Sequence, residues 1–336
     1  MKKIILSISY CLLISACFMM GIKGKKGIEY VLQLSDNGNI NQLQEKTIEI
    51  LSERLTGYGY AAKQFTFNSV PNNQLKVVIE TVDDSERVKK LLTERGYFSM
   101  QECFNKEEIF TDNSAETIDK LLQSEFQRKV DALQQTGDTQ AAADVEKNVQ
   151  TLFSRLFEVS KKGDFAELGL ASAKDTAQIN RYLVNTHIRN LFPNNATFIW
   201  SRSPNQYSEH KNQFTLYAAK VPANEDEYLN NNDISEIRSD KDYNNLPIVS
   251  LVFKESGHKK LEKLSDRNID KAILITLNNQ VVSAPIVREK LTGGAAQISG
   301  NFTETETMDL VNMLSKKHLP VEIELLSAKV KDAKEK

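Results

Sequence analysis

What these 336 residues lack excludes several kinds of chemistry. Three cysteines, at 11, 17 and 103, and four histidines, at 187, 210, 258 and 318, lie too far apart for the short spacings of a metal site. No Gly-x-Ser-x-Gly elbow accompanies a histidine, so a serine nucleophile has no sequence support. Charge of one sign is also missing: 43 Lys and Arg against 45 Asp and Glu leave a net charge of −2. A nucleic-acid partner would need a basic face, and none is expected. After the first twenty residues no apolar run is long enough to cross a bilayer. No metal, cofactor or catalytic residue is expected.

The N-terminus is of a different kind. Met1-Lys2-Lys3 is a short basic stretch, Ile4 to Ile14 is apolar, and Ser15-Ala16-Cys17 follows. This resembles a bacterial lipoprotein signal, with residues 1–16 removed and Cys17 acylated to anchor the mature chain. Loss of Lys2 and Lys3 would take the formal charge from −2 to −4. It would also leave Cys103 without an intramolecular disulfide partner, so Cys103 is expected as a small buried side chain.

Beyond a linker at 17–27 the periodicity switches regularly between two and 3.6. "IEYVLQL" places Ile28, Tyr30, Leu32 and Leu34 on one strand face. "NQLQEKTIEILSERL" carries Leu43, Thr47, Ile50, Leu51 and Leu55 at helical spacing. "AAKQFTF" and "QLKVVIE" form a strand pair, "DDSERVKKLLTERG" a helix, and "YFSMQEC" a closing strand. The order is βαββαβ, the split unit of ferredoxin-like folds. Residues 248–328 repeat it, with "PIVSLVF", "ESGHKKLEKLSDRN", a hairpin turning at Asn278-Asn279, a further helix and the strand "VEIELL". The fold class expected is α+β: a pseudo-symmetric, ferredoxin-like base of two parts, 28–103 and 248–328, and a charged tail 329–336.

Residues 104–247 interrupt that base as an inserted head. Ile118, Leu122, Phe126, Val130 and Leu133 make one helical stripe, and Val145, Val149, Leu152, Leu156 and Val159 a second. Two such stripes joined by a short turn predict a helical hairpin. "TAQINRYLVNTHIRNLF" predicts a third helix, followed by strands "ATFIWS" and "QFTLYAAKV" and a polar, mobile return segment.

"LTGGAAQISGNF" is the shape of a phosphate cradle without its chemistry. Asn301-Phe302 follow Gly300 where a Walker loop needs Lys-Ser/Thr, and Gly293, Gly294 and Gly300 do not give GxGxxG. Gly293 and Gly294 are expected to supply positive φ in a turn. His258 is expected on a solvated helix face and His318 as a cation at a helix C-terminus.

The C-terminal third resembles the large periplasmic domain of the SecD/SecDF protein-export family. Pro247 to Ser250, Glu255-Ser256-Gly257, Ser283 to Val287, Gly293-Gly294, Ile298 to Thr303 and Leu319-Pro320 carry the resemblance. Asp270 departs from it, standing where the family usually has glycine. The resemblance implies a base with a movable head, on the periplasmic side of the envelope, detached here from the family's membrane helices. It implies a non-enzymatic protein that binds unfolded or emerging exported polypeptide, with Sec translocon subunits as further partners and the membrane reached only through lipid. Phe198, Trp200, Phe214 and Tyr217 are the expected polypeptide platform, unless they simply pack under the helical hairpin. Two alternatives stand beside this reading: an interaction module that docks on an envelope complex without binding clients, and an envelope hydrolase on the same scaffold.

Overall fold

The computed structural model describes residues 23–35, 40–111, 113–147, 151–161, 166–205, 212–224, 227–300 and 302–331. The expected signal segment, Cys17, Val149 and the tail beyond 331 lie outside the described residues. Among the described residues helices mix with four sheets whose strands pair antiparallel, an α+β architecture. The chain divides into two compact units, Met1–Gly96 with Thr305–Lys336, and Tyr97–Glu304.

In the first unit β1 (Lys23–Leu34), β2 (Phe65–Val70), β3 (Gln74–Asp84) and β15 (Ile323–Lys331) form a sheet in the order β15-β1-β3-β2. Ile28, Tyr30, Leu32 and Leu34 are all buried, as the alternation predicts. They pack with Leu51 and Leu55 of helix Ile40–Tyr58 and with Val88 and Leu92 of helix Ser85–Thr93. Each such burial removes apolar area worth about 1.5–3 kcal/mol from water. Asn72 and Asn73, both with left-handed φ, turn β2 into β3. Helix Glu304–Leu314 joins this unit through a bidentate pair between Arg87 and Asp309, at 2.5 and 2.6 Å.

The closing strand of this sheet is not the one expected. "YFSMQEC" supplies β4 (Phe98–Glu102), which pairs instead with β12 (Ile273–Leu277) and β9 (Leu229–Asn230). The edge of β1 is filled by β15, over eight residue pairs from Gly27↔Lys331 to Leu34↔Ile323. The reason is burial. Phe98, Ser99 and Met100 are consecutive buried residues, a pattern for a strand covered on both faces. β15 is mostly buried at one end and exposed elsewhere, as an edge strand can be. Each expected half of the base therefore gives its last strand to a sheet of the other half, and the unit boundaries fall at 96/97 and 304/305 rather than at 103/104 and 247/248.

The second unit holds three sheets, ordered β13-β12-β4-β9, β10-β11-β14 and β5-β6-β8-β7. Their further strands are β5 (Glu158–Val159), β6 (Gly169–Ser172), β7 (Ala196–Trp200), β8 (Gln213–Lys220), β10 (Ile234–Lys241), β11 (Pro247–Phe253), β13 (Gln280–Ser283) and β14 (Ala295–Ile298). Helix Ser114–Gln135 buries Ile118, Leu122 and Val130 as its stripe predicts. The second arm of the hairpin is shorter than expected. It runs Thr139–Lys147, and the chain then makes one turn at Phe153–Leu156 before Val159 enters β5. Phe153 and Phe157 leave the helical path to join Phe110 in an aromatic core, with centroids 5.1–6.2 Å apart. The third helix also breaks, into Thr176–Leu183 and Thr186–Arg189, because Asn185 caps the second piece by accepting from the His187 N–H. The return segment expected to be mobile contains β9, the turn Asn231–Asp233 and β10, which pairs along β11 from Ile234↔Phe253 to Lys241↔Pro247.

Candidate functional site

The four aromatic residues expected as a platform are parted by the alternation of β7 and β8. Phe198 and Trp200 point to the helical side, where Phe198 meets Phe192 edge-on at 5.0 Å and Trp200 meets Phe157 at 6.3 Å. The Trp200 indole donates to Asn180 Oδ1 at 2.8 Å. Phe214 is half-buried opposite Ala171 of β6. Tyr217 is buried on the other face, beside Cys103, Ile199, Leu274 and Val281, and burial raises its phenol pKa. Phe198 and Trp200 thus pack on Phe192 and Phe157, and no single surface presents all four.

The glycine-rich turn is explained by what it packs on. Gly294 alone of its three glycines has a left-handed φ, +63°, and a Cβ there would lie 3.1 Å from the His258 ring. His258 is half-buried, not on a solvated face, and its Nε2 lies 2.5 Å from the Thr292 carbonyl oxygen. A carbonyl only accepts, so Nε2 carries the proton. A Cβ on Gly293 would meet nothing within 4 Å, and one on Gly300 would face the Phe302 ring. No cluster of three His, Cys, Asp or Glu that could hold a metal exists among the described residues. Cys103 is buried, donates to the Ala272 carbonyl, and burial pushes its thiol up to about 12, so it is no nucleophile at neutral pH.

The same alternation that hides the aromatics builds a cleft on the opposite face. Tyr97, Ser99 and Gln101 line it from β4 and its approach, and Thr197, Ile199 and Ala219 from β7 and β8. Asn224 and Tyr228 bound it, in an open volume of about 330 Å³. Tyr97 is fixed by a reciprocal pair of bonds with Asn278: its N–H donates to Oδ1 at 3.0 Å, and its carbonyl accepts from the Asn278 N–H at 2.8 Å. Asn278 and Asn279 both adopt left-handed φ in the expected two-residue hairpin turn. The Tyr97 and Tyr228 hydroxyls meet at 3.3 Å. The Ser99 hydroxyl is held by Thr276 at 2.7 Å. Among the described residues none of those lining it is charged. The sequence carried a signal for this site that aromatic content obscured: in "YFSMQE" the odd positions Tyr97, Ser99 and Gln101 are polar, while Phe98 and Met100 are apolar.

Residues 207–321 match the family described as SecDF, P1 head subdomain. The chain matches it over about a third of its length, 115 of 336 residues. It is 27% identical over 290 residues to the protein translocase subunit SecD of Rhodothermus marinus, covering 84% of this chain and 45% of that protein. The SecD of Calditerrivibrio nitroreducens is 39% identical over 92 residues, 27% of this chain and 18% of that protein. The chain thus spans less than half the length of these SecD relatives. A crystal structure of SecDF in its super-membrane-facing form superposes with a TM-score of 0.50 at 19% identity, over 92% of this chain and 31% of that one, a likeness of fold. Among the described residues no helix is long and apolar enough to cross a membrane.

The SecD-like signature now has physical content at two further positions. Gly257 lies where a Cβ would come 2.7 Å from Asp233 Cβ and 2.9 Å from its carbonyl oxygen. Asp270, the departure from the family's glycine, has φ +60°, the left-handed region that glycine enters freely and Asp tolerates better than most residues.

Proposed function

We propose that this SecD-like chain is a non-enzymatic envelope protein that binds exported polypeptide as an accessory to protein translocation or envelope-protein maturation. The observation that supports it is the 290-residue likeness to a protein translocase subunit, which extends well beyond the signature region. Lipid on Cys17 holds the protein at the periplasmic face of a membrane in this reading, and Sec translocon subunits are its neighbours. The cleft supports a role in holding polypeptide. Its hydroxyl and amide groups can exchange hydrogen bonds with a peptide backbone, and its methyl groups can cover apolar side chains.

One feature favours the docking alternative as well. Tyr243 is 96% exposed at the tip of the β10–β11 hairpin, where Asp242 Oδ1 accepts from the Asn244 and Leu246 N–H groups and fixes the turn. A preorganised exposed tyrosine is a good interface anchor. Crosslinking in living cells from position 228 and from position 243, read by mass spectrometry, separates the two. Many exported chains captured from 228 support polypeptide binding. One discrete envelope partner from 243, with nothing from 228, assigns docking instead. In the same cells Cys17→Ala should move the protein from the membrane fraction to the soluble one or stall its processing; persistence of mature, membrane-bound protein rejects the lipid anchor.

A further inference from the structure

The sheet of the first unit ends at β15, and among the described residues no strand pairs with the outer edge of β15. Charge is ordered along that edge. Glu322 and Glu324 come before its middle, Lys329 and Lys331 after it, and all four are exposed. In a regular strand 324 and 329 would point to opposite faces, because side chains alternate. Here a bulge changes the count: Val31 of β1 lies opposite Ser327 and Leu32 opposite Leu325, which leaves Leu326 as the inserted residue. Glu324, Lys329 and Lys331 therefore stand opposite Gln33, Glu29 and Gly27, on the sheet face away from the core residues Tyr30 and Leu32. Glu322 continues that face by alternation. Among the described residues neither glutamate has an ion pair, and Lys331 has a loose one, 3.7 Å to Glu29, which Lys76 approaches at 3.3 Å. Leu326 and Val330 are 46% and 40% exposed on the same strand.

Charge on an edge strand ordinarily guards it against pairing with another chain. This edge is instead complementary to itself. An antiparallel copy related by a two-fold axis between Leu326 and Ser327 would set Glu322 opposite Lys331 of the second copy and Glu324 opposite its Lys329. Ile323 would then face Val330, and Leu325 would face Ala328. Each of these pairs shares a face of the sheet, and the bulge at Leu326 is what makes the faces agree. A slip of two residues either way leaves a single glutamate opposite a lysine, so the charges also select the register. We propose that two copies of this chain join edge to edge along β15, making one sheet continuous across the pair. The exposed Leu326 side chains meet at the axis, and Val330 of each copy packs beside Ile323 of the other. A two-fold contact of this kind closes on itself, so it yields a dimer and not a filament. It does not depend on the polypeptide-binding reading.

Sedimentation velocity of the full chain, over about a hundredfold range of concentration, should show monomer passing to dimer. Glu322→Lys with Glu324→Lys makes the edge wholly basic, and Lys329→Glu with Lys331→Glu makes it wholly acidic. Each double variant should keep the wild-type circular-dichroism spectrum and self-associate about tenfold more weakly, because like charges then face each other. Mixed in equal parts, the two should associate again as strongly as wild type, each lysine of one meeting a glutamate of the other. Leu326→Asp alters none of the four charges, and by itself it should weaken the dimer about tenfold by setting like charges at the axis. A wild-type chain that stays monomeric throughout overturns the proposal. So does a mixture that associates no better than its separate components, or a dimer that Leu326→Asp leaves as tight as before.

Discussion

At Gly257 the absence of a side chain decides whether helix Glu255–Arg267 can lie against the turn Asn231–Asp233. Asp233 is 4% exposed, and its carboxylate accepts from the Asn230 N–H at 3.0 Å and from Lys260 at 3.2 Å. Its carbonyl accepts from the Lys254 N–H at 2.7 Å, at the start of the helix. The turn is therefore held on three sides and cannot retreat to admit a methyl group. Alanine is the better helix former by about 1 kcal/mol, but forcing a carbon into a packed contact costs about 1–3 kcal/mol. Gly257→Ala should on balance destabilise the second unit by about 1 kcal/mol, seen as a lower urea midpoint at unchanged m-value. A midpoint equal to or above wild type would show that the approach of Asp233 is not what requires glycine.

The elements show what a sequence reveals and where it falls silent. Period-two alternation located β1, and an asparagine pair placed the Asn278-Asn279 turn, because these depend on neighbours in the chain. Strand partnership depends on residues more than a hundred positions away, so β15 and β4 could be found as strands but not assigned to their sheets. The cleft was missed for the same reason: it exists only where β4 meets β7 and β8. A long-range dependence also governs the end of helix Ser85–Thr93. Arg54, fully buried, donates to the carbonyls of Leu91, Glu94 and Arg95, and so caps a helix from another element. His318 lies near this cation and Arg95, past the end of helix Glu304–Leu314, and so is not the cationic cap that its position suggested. Burial first, and then Arg95 and Arg54, lower its pKa below the ordinary 6.5. The unfolded chain then binds more protons than the native one just below pH 6.5. Stability contributed by neutral His318 is full above that pH and is lost as pH falls toward its native pKa. His318→Gln should flatten the part of the stability–pH curve just below pH 6.5. An NMR titration placing His318 at or above 6.5 in the folded protein would remove the basis for that expectation.

On the scale of the whole molecule, the first unit is discontinuous: residues up to Gly96 are completed by residues from Thr305 onward. Its sheet is closed by the C-terminal strand, and its core includes Leu319, Val321 and Ile323, each no more than 9% exposed. Removing residues 319–336 would strip three buried aliphatic side chains, at about 2–5 kcal/mol apiece when they pack fully, and the hydrogen-bonded partner along one edge of β1. That sum exceeds the usual net stability of a domain, about 5–15 kcal/mol, at its lower end. The strands and helices of Tyr97–Glu304 keep all their sheet partners after the same truncation, because no strand of theirs pairs with β15. The truncated chain should lose protection from hydrogen exchange throughout β1, β2 and β3 while β4, β8 and β12 stay protected. Had residues 28–103 formed a self-contained βαββαβ half, β1 would survive the loss of the C-terminus. Retained protection in β1 of the truncated chain would therefore restore the two-halves arrangement, and its loss together with β12 would show that the two units fold as one.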